Sequence, residues 1–245
     1  MRHLLLFLFF SLIFTGLFAQ ETDATTDPAE DFTELKKRIN KSSDRLAMDF
    51  TYDLALNMPD SIKTKGFSRG FNIYFMYDVV LGKSRFSIAP GFGLGTNNYF
   101  HNNTISSDTA GTYFNPIASD IKVKKNKLSL TYLDIPIEFR FRSKPNAKDN
   151  SWKFAVGFKA GLLIHNKWKY KGEEVRQGPA FEEGREVKFK EYNIENLNRF
   201  RYGVTARAGY GVWNVFAFYG ISELFKEGRG PGMTPLSIGV SINGL

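Results

Sequence analysis

Between Leu128 and Lys171 the sequence holds two long runs of period-two alternation, separated by only a short polar break, Lys144-Pro-Asn-Ala-Lys-Asp-Asn150. In the first run Leu133, Ile135, Ile137, Phe139 and Phe141 alternate with Asp134, Pro136, Glu138, Arg140 and Arg142. In the second, Trp152, Phe154, Val156, Phe158, Ala160, Leu162 and Ile164 alternate with Lys153, Ala155, Gly157, Lys159, Gly161, Leu163 and His165. Strict alternation is a strand signal, because successive side chains of a strand leave by opposite faces. Each strand therefore has one apolar face and one charged or glycine-rich face. In a soluble sandwich the apolar face would be the core. In a membrane barrel it faces lipid and the charges face the lumen.

The rest of the chain favours the barrel. Six further segments alternate in the same way. Leu46 to Leu56 puts its large apolar residues at even positions, and Phe71 to Val79 and Phe86 to Leu94 carry theirs at every second position. Phe200 to Tyr210, Trp213 to Ile221 and Leu236 to Ile242 complete the set. In the Trp213 strand, Phe216 and Phe218 fall on the other face, so the pattern leaves its inner side open. Eight strands are expected, an even number, joined by alternating long and short connections. The stretches His101–Asn126 and Lys171–Glu195 are expected to be long polar outer loops. Barrels of outer membranes keep their short turns on the periplasmic side, which places both termini there. Phe86, Phe141, Trp152, Tyr210 and Trp213 lie beside the short turns, and Trp168 lies near a strand end, positions that suit an interfacial aromatic girdle. The aromatic content of 16%, with 24 Phe, is what such girdles require.

Ahead of the strands, Met1–Ala19 has a basic start, an apolar run from Leu4 to Phe14 and a small residue before Gln20, the layout of a secretory signal peptide. Residues 20–45 are read as a periplasmic segment with a short helix, opened by Asp31 with Glu34 three residues on. The barrel domain is then 46–245. With no Cys there is no disulfide or thiolate metal site. The net charge of +8 comes without an RNA-reading or helix-turn-helix pattern, so nucleic acid is not an expected partner.

Alternation points eleven charged residues inward: Asp49, Asp53, Asp78, Asp134, Glu138, Arg140, Arg142, Lys153, Lys159, Arg201 and Arg207. An eight-stranded barrel leaves an interior that side chains fill, so these are expected to plug the lumen by pairing. An ion path or ligand pocket is the functional alternative. Counting back from the Ser143–Asn150 turn, Asp134 is expected opposite Lys159, the two forming a buried ion pair or sharing a common partner such as Arg207. The apolar phase changes between Leu128, Leu130 and Tyr132 on one side and Leu133 and Ile135 on the other, so a β-bulge is expected near Tyr132–Leu133. Only His101 and His165 survive signal cleavage. His165 is expected to point inward, and a lone loop histidine such as His101 makes no metal site. No catalytic residue, metal or cofactor is expected. The basic run Lys122, Lys124, Lys125 and Lys127 is a candidate contact for lipopolysaccharide phosphates.

The segments Tyr132–Arg142 (YLDIPIEFRFR), Phe158–Ile164 (FKAGLLI), Phe200–Gly211 (FRYGVTARAGYG) and Leu224–Ile242 resemble the PorT-like outer-membrane β-barrel proteins of the Bacteroidota. The resemblance spans roughly residues 46–245. It implies an all-β, eight-stranded antiparallel up-and-down transmembrane barrel in the outer membrane, without implying an activity. The expected role is structural or surface-interacting, with membrane lipid, lipopolysaccharide and an unidentified protein as partners. The alternatives are a small-solute channel and a secreted lipocalin-like binder.

Overall fold

The computed structural model describes residues 46–62, 64, 66–82, 84–144, 151–175 and 184–243. The signal peptide, the N-terminal helix and most of the Ser143–Asn150 turn lie outside the described residues.

Eight strands form the wall: β1 (Leu46–Leu56), β2 (Arg69–Met76), β4 (Phe86–Phe100), β7 (Val123–Arg142), β8 (Trp152–Glu173), β10 (Phe200–Tyr210), β11 (Trp213–Gly220) and β12 (Thr234–Asn243). Each is antiparallel to its neighbour in sequence. β12 pairs with β1, from Ala47↔Asn243 to Leu56↔Thr234, and closes the sheet into an up-and-down barrel. The short β3 (Val79–Val80) continues the line of β2 along β4. Closure leaves the eight wall strands without a free edge, the condition for spanning a bilayer with strands.

The wall is inverted relative to a soluble protein. Phe50, Phe75, Phe92, Ile135, Val156, Val204, Val215 and Val240 are all exposed on its outside. Asp49, Asn72, Asp134, Glu138, Arg207 and Ser241 are buried within. The outward apolar row runs over Leu133–Phe141 on β7 and Trp152–Ile164 on β8. At about 3.4 Å per residue and a tilt of about 40°, these rows bracket the roughly 25 Å apolar band of an outer-membrane barrel.

Past that band the polarity turns over. β7 and β8 run on beyond the barrel wall, and β9 (Glu186–Tyr192) pairs with the extension of β8. A hairpin of β5 (Asn103–Ser107) and β6 (Thr112–Pro116) stands beside them. The stretches expected to be irregular loops, His101–Asn126 and Lys171–Glu195, therefore contain strands. Together these elements form a cap with an ordinary apolar core: Leu128, Leu130, Tyr132, Trp168 and Tyr170 pack with Ile105, Leu197, Phe225 and Met233.

The turnover corrects four expectations. Leu128, Leu130 and Tyr132 face inward, in phase with Asp134, so β7 itself keeps its phase. The irregularity does fall at the Thr131/Tyr132 rung, but the extra residue is Ile164 of β8, since Thr131 pairs with His165 and Tyr132 with Leu163. That bulge reverses β8, so His165 is exposed rather than inward. It also turns Trp168 into the cap core, where it is 1% exposed, rather than toward the membrane interface. The register of β7 on β8 is two residues away from the one expected: Asp134 lies opposite Gly161, and Lys159 opposite Pro136. A two-residue shift preserves which face each side chain takes.

Candidate functional site

The lumen is the densest collection of polar side chains in the described residues. Ten of the eleven charges expected there are buried, and Arg142 is partly so. All but Asp78, which lies between β2 and β3, come from the inward phase of a strand whose outward phase is apolar, so the belt that fixes one fixes the other.

The charges form two linked layers. In the layer nearer the short turns, Arg207 of β10 reaches across the barrel to Asp49 of β1, at 2.5 and 3.1 Å, and to Glu138 of β7, at 2.8 Å. It also donates to the Ser241 hydroxyl. Arg140 donates to Glu138 at 2.9 Å, and Arg142 pairs with Asp78. Lys153 lies with Arg140 and Asn214 at this end. In the next layer Arg201 grips Asp134 with two nitrogens, at 2.6 and 3.1 Å, and donates to Asn97 at 2.5 Å. Tyr74 donates its hydroxyl to Asp134 at 2.9 Å, and Lys159 approaches that hydroxyl at 3.3 Å. Asp134 and Lys159 thus share Tyr74, and the cation on Asp134 is Arg201. Arg207 remains one layer away, with Asp49.

Aromatic rings complete the lumen. The Arg201 guanidinium lies 3.8 Å from the Tyr132 ring centre, Lys159 Nζ 3.9 Å from Phe218, and Arg207 4.4 Å from Phe216. These contacts explain why Phe216 and Phe218, ambiguous in the sequence, point inward: each covers a cation that would otherwise lack part of its solvation. Farther toward the cap, Asp53 is satisfied by neutral donors alone, accepting from Thr51, Asn97, Ser237 and the Asn98 amide at 2.8–3.2 Å.

Glycine makes this packing fit. A Cβ on Gly95 would sit 2.5 Å from Asp134 Oδ2, 2.6 Å from Arg201 Nη2 and 2.7 Å from Asn72 Oδ1. Gly95→Ala is therefore expected to push the Asp134–Arg201 pair apart and cost about 1–3 kcal/mol, read as a lower urea midpoint for the detergent-solubilised barrel. An unchanged midpoint would mean the pair has room to move. The lumen cavity bounded by Arg140, Lys153, Arg207, Asn214 and Asn243 measures about 10 Å³. That is room for about one water.

The aromatics at the short-turn end form a girdle. Phe86, Trp152, Tyr210 and Trp213 are exposed and Phe141 is half-buried. Trp152 meets Tyr210 edge-on at 5.4 Å, and Phe86 lies 5.3 Å from Phe141.

The histidines stand apart from the lumen. His101 is buried in the cap against Phe114, and burial lowers its pKa to about 4. His165 rests beside Tyr192 at the surface. Among the described residues no hydrogen bond joins either to a serine, and no group of three potential metal ligands occurs. Sequence reasoning missed one feature altogether, the outward lysines Lys167, Lys169 and Lys171 at the end of β8 and Lys188 and Lys190 of β9. The runs KWKYKG and EVKFKEY do carry the period-two signal that marks them as strand residues with one basic face.

Residues 20–229 match the family described as outer membrane protein beta-barrel domain. Among solved structures, the chain is similar to Ail, the attachment invasion locus protein of Yersinia pestis, crystallised with the heparin analogue sucrose octasulfate. The identity is 12%, covering 81% of this chain and 96% of Ail, at a TM-score of 0.31. No curated protein matches the sequence.

Proposed function

The chain belongs to the outer membrane protein beta-barrel domain family and is a protein of the outer membrane; from that premise we propose a non-conducting, non-catalytic barrel that acts as a rigid platform for its cap. The observation that carries this reading is the lumen, where Arg201 and Arg207 tie β10 to β7 and β1, strands that are not its neighbours in the wall, and fill the interior with paired side chains. A solute path needs a continuous water column. Here its place is taken by ion pairs, aromatic rings and Tyr74. The finer assignment is to the PorT-like barrels of the Bacteroidota, supported by the Tyr132–Arg142 and Phe200–Gly211 segments. The Met1–Ala19 leader then delivers the chain to the envelope, and residues 20–45 remain periplasmic. Partners are the surrounding lipid, lipopolysaccharide and a protein docking on the cap.

The test is electrical. Purified protein in a planar bilayer is expected to give no steady single-channel steps. Stable steps of porin size would overturn the plug and make this a small-solute channel.

The platform reading sets the cap outside, because all the long connections lie at that end while the short turns and the first and last strand ends lie at the other. The cysteine-free sequence makes this simple to check. In intact cells a membrane-impermeant maleimide is expected to label Asp120→Cys and to spare Lys144→Cys. The reverse pattern would invert the topology.

A further inference from the structure

Beyond the apolar belt, β7, β8 and β9 continue as a three-stranded sheet. Its inner face packs into the cap through Leu128, Trp168, Tyr170 and Phe189. Its outer face carries seven lysines, bounded by Ser129 and Tyr192 on the belt side and by the facing Glu173 and Glu186 at the far end. The register sets Lys125 opposite Lys171 and Lys171 opposite Lys188. The next row is Lys127, Lys169 and Lys190, and Lys167 begins the row after. Seven ammonium groups thus occupy a grid with strands about 4.8 Å apart and same-face residues about 7 Å apart.

Like charges directly opposite each other in a sheet are destabilising. Among the described residues only Glu186 answers them, at one corner, 3.7 Å from Lys171 and shared with Lys124 at 2.6 Å. Lys122 turns instead to Glu173 at 3.9 Å. Lys127 donates to Asn98 at 2.5 Å and lies over the Phe100 ring. Lys169, half-exposed, is held below its ordinary pKa by Lys125 first and then by partial burial, with Lys190, Lys188 and Lys167 adding to it. The free protein therefore carries a repulsion that an anionic layer on this face would relieve.

The position of the grid identifies that layer. It lies on the same outward face as the belt and directly in line with it. On β7 the outward row reads Phe139, Ile137, Ile135, Leu133, Thr131, Ser129, Lys127 and Lys125. On β8 Lys167 follows Ile164 across the bulge. At about 3.4 Å per residue and 40° of tilt, the grid begins about 8 Å above the belt and extends to about 20 Å. That is deeper than a phospholipid headgroup layer, which adds only about 5–8 Å per leaflet. It faces sideways over the lipid rather than upward into the medium.

We propose that this lysine grid binds the phosphates of the outer-leaflet glycolipid, which meets it side-on as the annular lipid of the barrel. The proposal rests on the cap-outside reading above, and it stands or falls separately from the closed lumen.

The experiment is native mass spectrometry of the full barrel in detergent, titrated with bis-phosphorylated lipid A or with the same lipid stripped of phosphate. The wild type is expected to prefer the phosphorylated form by at least tenfold. A Lys169→Gln, Lys171→Gln, Lys188→Gln variant should lose about a hundredfold in affinity for it, at roughly fivefold per lysine. The same variant should unfold at an equal or higher urea concentration in lipid-free detergent, because repulsion is relieved; this separates lost binding from lost fold. Equal binding of the two lipids, or an unaltered affinity in the variant, would overturn the proposal. Soluble polyphosphate binding as tightly as lipid A would overturn the lipid assignment in favour of a soluble polyanion. A barrel that conducts but still shows the hundredfold loss would sink the plug alone, and maleimide labelling at Lys144→Cys would remove the grid from the outer leaflet.

Discussion

Replacing Arg207 with methionine should destabilise the barrel by about 3–5 kcal/mol, because the loss strands a buried carboxylate rather than merely removing a contact. Asp49 takes two of its bonds from Arg207 and one long one, at 3.4 Å, from Asn72. Glu138 would still have Arg140 at 2.9 Å. The cost therefore concentrates on Asp49, and Asp49→Asn in the same chain should recover most of it. The measurement is a double-mutant cycle on urea unfolding in detergent or lipid, with a large coupling between Asp49 and Arg207 as the expected result. Additive losses would show that the pair does not hold the wall together. The same logic places Asp134 with Arg201, and a cycle between Asp134 and Lys159 should show far less coupling, since Tyr74 stands between them.

Which side chains face the lumen was legible from the sequence, because a period of two leaves only two choices per strand and charge against Phe, Ile and Val selects one. Which charges meet was not. Strand register depends on turn geometry, and counting back from Ser143 misplaced β7 on β8 by two residues. The inward phase is unaffected, but the residue opposite Asp134 is Gly161 rather than Lys159, and the partner Asp134 and Lys159 share is Tyr74 rather than Arg207. Arg201 and Arg207 show the further limit: their carboxylates sit on β7 and β1, strands that do not pair with β10, and alternation within a hairpin carries no information about strands beyond it.

The cap was hidden for a different reason. Alternation says that a strand has an apolar face without saying what that face meets. In β7 the apolar residues move from even to odd positions at Tyr132–Leu133, which looks like a backbone slip. The backbone holds its phase there, and what changes is the medium outside it, from lysine-covered surface to lipid. In β8 the apolar residues hold to even positions from Trp152 through Tyr170, which looks like one uniform face. There the backbone slips, at Ile164, and the same even positions pass from lipid into the cap core. The two strands solve one inversion of polarity in opposite ways, and only their pairing reveals it.

Trp168→Ala tests that inversion, and its effect should rival the loss of Arg207. The indole is buried among Tyr170 and Phe189, with ring centres at 6.4 and 5.0 Å, and its Nε1 donates to Asn126 Oδ1 at 2.6 Å. Asn126 in turn donates to the Asn103 carbonyl at 2.7 Å, so this one side chain ties β8 through β7 to the β5–β6 hairpin. Removing it should cost about 3–5 kcal/mol for the cavity, and it leaves a buried amide oxygen without its donor. The cap should loosen while the barrel persists, because the ion pairs of the lumen are untouched. Hydrogen exchange is expected to show lost protection in β5, β6 and β9, with β1, β10 and β12 unchanged and the barrel still migrating as a folded species on a gel when unheated. Trp152→Ala, on the lipid face, is the control and should leave cap protection intact. If Trp168→Ala behaved like Trp152→Ala, the tryptophan would belong to the membrane girdle, and the reversal of β8 at Ile164 would be wrong.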